Sequence, residues 1–73
     1  MIIEEEILGK TVEFIRNYNM SPNVIFISEK YANQLIGELH TRFGREFEIT
    51  GSAEFNGMKF IITAKDMVEV GVI

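Results

Sequence analysis

The chain has 73 residues, no cysteine, and a formal net charge of −4 from 11 acidic and 7 basic side chains. That length supports one domain, residues 1–73, and leaves it marginal unless a disulfide, a metal or a partner adds stability. The charge balance disfavours a general phosphate-backbone binder, the lack of cysteine removes disulfide and thiolate chemistry, and an apolar content of 47% argues against disorder.

Ile3–Tyr18 reads as an amphipathic helix. At 100° per residue, Ile3, Ile7, Leu8, Thr11, Val12, Phe14, Ile15 and Tyr18 share one half of the wheel. Glu5, Glu6, Gly9, Lys10, Glu13, Arg16 and Asn17 fill the other half, and Glu4 intrudes at the first turn. Glu4, Glu5 and Glu6 stand where the helix dipole favours negative charge, so helix chemistry explains them better than a metal cluster does. Glu6 and Lys10 form an i,i+4 pair in the favourable order. "NYNMSPN" ends the helix. Asn19–Ser21 is formally a glycosylation sequon, but capping or turn chemistry explains it better because no export signal is visible: "MIIEEEILGK" has acids where a signal peptide needs bases. No apolar run approaches the ~18 residues of a membrane span. The expected location is cytoplasmic, in the host cell if the chain is phage-encoded.

"NVIFIS" reads as a buried strand, with Val24 and Phe26 on one face and Ile25 and Ile27 on the other. Ser28 is then a candidate N-cap for a second helix, with Glu29 in its first turn. Tyr31, Ala32, Leu35, Ile36, Leu39 and Phe43 form that helix's apolar stripe, and Gly44 is placed to cap its C-terminus. Arg42 and Arg45 complement the dipole there. "REFEIT" alternates, with Phe47 and Ile49 opposite Glu46, Glu48 and Thr50. Asn56–Gly57 is a strong hairpin signal between Phe55 and Met58. "MKFIIT" and "MVEVGVI" complete the pattern, and Gly71 suggests a bulge or a close backbone approach. The expected fold is α+β: two amphipathic helices on one face of a three- to four-stranded, mostly antiparallel sheet, in the order α-β-α-β-β-(β), with the fourth strand short or frayed. A parallel neighbour for the first strand would need a right-handed crossover through the second helix.

Chemistry is sparsely signalled. His40 lies at the border of the second helix's stripe; Glu29 shares its side of the wheel but lies three turns away, and no serine or cysteine sits at a nucleophile elbow, so catalysis would need a carboxylate from a neighbouring subunit. Glu46 and Glu48 read as a solvated strand face. No glycine-rich phosphate loop occurs. No catalytic residue, cofactor, metal ligand, nucleic-acid contact or small-molecule substrate is expected.

The apolar surplus is the positive signal. Two helices can cover one sheet face, and the strands are apolar on both. The other face would then expose Ile25 or Val24, together with Ile61, Met67 and Ile73. Ile25, Ile27, Ile61, Met67 and Ile73 are therefore the expected contact residues of a homo-oligomer or protein partner. The alternative arrangement, with helices on opposite faces, leaves no such surface. Gly9 and Gly37, each on the polar side of its helix, fit a close-packed neighbour. The expected function is a non-enzymatic interaction or assembly module that associates with itself; the alternative is an acidic inhibitor or regulator docking a basic protein.

The run "NVIFISEKYANQLIGELHTRFGRE", followed by "FNGMKFIIT" and a short acidic turn, resembles the peripheral-domain region of tailed-phage major capsid proteins. The likeness covers Asn23–Asp66 and rests on Gly44, Gly57 and the apolar periodicity. It implies a small phage or prophage structural or accessory protein, since the chain is too short for a capsid subunit. It carries over no functional residue.

Overall fold

A computed structural model describes residues 1–44 and 53–73. The elements are α1 (Ile3–Tyr18), β1 (Val24–Ser28), α2 (Glu29–Phe43), β2 (Glu54–Phe55), β3 (Met58–Thr63) and β4 (Val68–Gly71). The expected strand at "REFEIT", with its Phe47/Ile49 and Glu46/Glu48 faces, lies outside the described residues, as does Arg45.

Local chemistry sets most boundaries. α1 stops at Asn19, which adopts the left-handed conformation (φ 53°) and returns its N–H to the Ile15 carbonyl. Ser28 caps α2 as expected, its hydroxyl oxygen accepting from the Tyr31 N–H. Gly44 closes α2 at φ 60°. Asn56 and Gly57 both have positive φ, 52° and 79°, as the type I′ hairpin turn joining β2 to β3 requires.

Among the described residues the sheet has the order β2-β3-β1-β4. β2–β3 and β1–β4 are antiparallel, while the central pair β1–β3 is parallel. The sheet is thus mixed. The hairpin turn at Asn56–Gly57 reverses the chain between β2 and β3, so β3 runs alongside β1 in the same direction and β2 in the opposite one.

The register decides which face each side chain takes. Ile25 lies between Phe60 and Val70, and Ile27 between Ile62 and Val68, so these residues share one face. Both helices lie on that face: Ile3 and Ile7 of α1 and Ala32, Leu35 and Leu39 of α2 join Ile25, Ile27, Met58 and Val68 in one core. Tyr31, Phe55, Phe60 and Val70 pack against it. Val24, Phe26, Ile61 and Gly71 lie on the opposite face, where no described helix packs.

Candidate interaction surface

β1 places its two isoleucines inward. Ile25 and Ile27 are both 0% exposed, which corrects their assignment to a contact surface. An alternating strand offers two equally apolar faces here, and the face carrying Ile25 and Ile27 is the one the helices cover. The open face instead carries Val24, Phe26 and Ile61. Val24 is only 5% exposed, and Phe26 and Ile61 are half-buried. The Phe26 ring folds over Gly71: a Cβ there would stand 3.1 Å from Phe26 Cε2. Gly71 is thus the close approach that its place in the strand suggested. Of the other expected contact residues, Met67 is half-buried, with its carbonyl accepting the Ser28 N–H at 3.1 Å. Ile73 is 76% exposed, although its backbone is tied to the Asn23 side chain by two hydrogen bonds. A recess of about 380 Å³ joins Val24, Ile61 and Ile73 to the charged pair Glu54 and Lys59.

A second uncovered apolar surface is on α1. The wheel gave this helix an eight-residue stripe, but only Ile3 and Ile7 are buried, with Thr11 and Phe14 half-buried. Leu8, Val12 and Ile15 are 45%, 55% and 43% exposed. The cause is architectural. α1 rests mainly on β4, an edge strand, and beside α2. Those two neighbours cover the Ile3–Ile7–Phe14 side and leave the Leu8–Val12–Ile15 flank outside the core.

A polar clamp fixes α1 in this position. Its N-cap residue, Ile2, has no side chain able to accept a hydrogen bond, so the first amides need another partner. Glu38 of α2 supplies it. The Ile3 N–H donates to Glu38 Oε2 at 2.8 Å and the Glu4 N–H to Oε1 at 3.0 Å. Gln34, one turn earlier, donates to Glu38 Oε2 at 3.1 Å and to the Met1 carbonyl at 2.6 Å. Arg42, one turn later, donates to Glu4 Oε1 at 2.6 Å. Partial burial works to raise the Glu38 pKa, but the Glu4 and Ile3 amides and the Gln34 side chain outweigh it and hold the carboxyl below its ordinary value. The sequence reading missed Glu38; its only signal is the i, i+4, i+8 spacing of Gln34, Glu38 and Arg42.

The expected Glu6–Lys10 pair is present at 3.8 Å, but Lys10 reaches closer to Glu69 on β4, at 2.9 Å. That hydrogen bond, opposed by partial burial and helped by the charges of Glu69, Glu6 and Glu13, raises the Lys10 pKa above its ordinary value. His40 is exposed in the last turn of α2. Among the described residues, no three His, Asp or Glu side chains come together in a metal-binding group. No described helix is long and apolar enough to cross a membrane.

The chain matches no family model, no curated protein and no solved structure.

Proposed function

We propose that this domain is a non-enzymatic protein-interaction module that works by associating with copies of itself. One observation carries the reading: Leu8, Val12 and Ile15, spaced by one helical turn, are each more than two-fifths exposed on a regular helix. Single exposed apolar residues are ordinary, whereas a contiguous apolar patch favours burial against another surface. A 73-residue chain without cysteine has few other ways to add stability. The phage-capsid resemblance of Asn23–Asp66 supports an assembly setting for the same activity.

Light scattering coupled to size exclusion, across micromolar concentrations, tests the proposal. The expected result is a multimer that dissociates on dilution and persists when salt is raised, because apolar association is not screened. A monomer at every concentration refutes it. Its net charge of −4 supports a second reading, docking to a basic protein; this predicts salt-sensitive capture of one such partner by a monomer.

A further inference from the structure

We infer that the partner on this surface is the α1 helix of a second copy, packed antiparallel across a two-fold axis. This rests on the self-association reading and deepens it. The face consists of Glu5, Leu8, Gly9, Val12, Ile15 and Arg16, all of them exposed, within about 120° of the helix circumference. Glu5, Leu8, Val12 and Ile15 follow the alternating three- and four-residue spacing of a helix-pairing seam. Leu8, Val12 and Ile15 form its apolar middle, Glu5 stands at its N-terminal end and Arg16 at its C-terminal end.

Charge selects the partner and its direction. Glu4 pairs with Arg42 and Glu6 with Lys10, but Glu5 and Arg16 have no ion-pair partner among the described residues. A parallel copy would set Glu5 against Glu5 and Arg16 against Arg16. An antiparallel copy sets Glu5 against the partner's Arg16 twice, once on each side of the axis, with Leu8 against the partner's Val12 between them. The face is complementary to itself, as a two-fold interface requires. It also opposes the two helix dipoles. Gly9 supplies a separate observation. A Cβ at that position would meet nothing within 4 Å, so no contact within the chain calls for glycine in this mid-helix position, where alanine is favoured. A glycine beside the seam lets a second backbone approach closely. One helix pair is a small interface, so the dimer belongs to the weak, reversible class.

The test measures the dissociation constant of the unmodified chain, Glu5→Arg, Arg16→Glu and the double variant, with circular dichroism melts confirming that each folds. Each single change turns two symmetry-related attractions into repulsions and should weaken the dimer by roughly 5- to 30-fold; the double variant should return it close to the original value. Glu5→Cys and Arg16→Cys chains, mixed and oxidised, should form the mixed disulfide in preference to either homodimer. Unchanged dissociation constants in the single variants, or a double variant as weak as the singles, overturn this pairing and leave self-association through another face. A monomeric unmodified chain overturns both readings.

Discussion

Replacing Glu38 with alanine removes the side chain that accepts from the first two α1 amides, Ile3 N–H at 2.8 Å and Glu4 N–H at 3.0 Å. Loss of an N-cap costs about 0.5–2 kcal/mol, and a carboxylate at this end of the helix dipole contributes about 0.3–1 kcal/mol. These effects overlap, so the expected loss is about 2 kcal/mol, a large share of what a domain of this size holds. In a chain this short, that corresponds to a fall of roughly 8–16 °C in Tm. Glu38→Gln keeps one acceptor and loses the charge, so it should fall between the two. Urea unfolding followed by far-ultraviolet circular dichroism measures all three. The pH dependence supplies an independent check. The folded-state pKa of Glu38 is lowered, so its stabilisation is complete above the unfolded-state pKa and is lost as pH falls through the folded value. The difference between the unmodified chain and Glu38→Gln should therefore shrink below about pH 4. A Glu38→Ala variant within about 0.5 kcal/mol of the unmodified chain, or a gap that widens in acid, would refute the clamp.

Two further outcomes follow from packing. Gly71→Val should destabilise the domain by about 1–3 kcal/mol, because the added side chain enters the volume held by the Phe26 ring; combining it with Phe26→Ala should recover part of the loss in a double-mutant cycle. Ile27 and Ile62 are paired neighbours on the helix-facing side, yet Ile27 is fully buried and Ile62 is 51% exposed. Ile27→Ala should cost about 2–5 kcal/mol and Ile62→Ala less than about 1.5 kcal/mol, both read from urea midpoints. Equal losses would mean that the helices do not cover β1 as described.

What could be read from the residues was local. Ser28, Gly44 and Asn56–Gly57 mark their caps and turn through φ preferences and hydrogen bonds within a few positions, and each was placed correctly. Both helices also followed from apolar spacing, whereas their common sheet face was only the simplest two-layer arrangement, with opposite faces as the alternative. The parallel β1–β3 pairing did not follow, because it depends on which strand of the β2–β3 hairpin docks beside β1, and neither strand's composition records that. Nor could periodicity decide which side of β1 turns inward, since Val24/Phe26 and Ile25/Ile27 are equally apolar. The α1 stripe was wider than its contacts: Ile3, Ile7 and Leu8 look alike on a wheel, and only docking against an edge strand separates them. The Glu38 clamp joins positions 35 apart in the chain, beyond the reach of any local rule.

The seating of α1 on β4 also shapes how the domain is reached from the unfolded chain. Lys10 and Glu69 meet across a separation of 59 residues, and Asn23 meets Ile73 across 50. The helix with the strongest local pattern therefore has to wait for the most distant strand before its Ile3–Ile7 side can be buried. Closing so long a loop is entropically costly and slows acquisition of the native state. During that interval both sides of α1 are open to other chains, so crowding and refolding concentration will determine yield more than the modest size of the domain suggests.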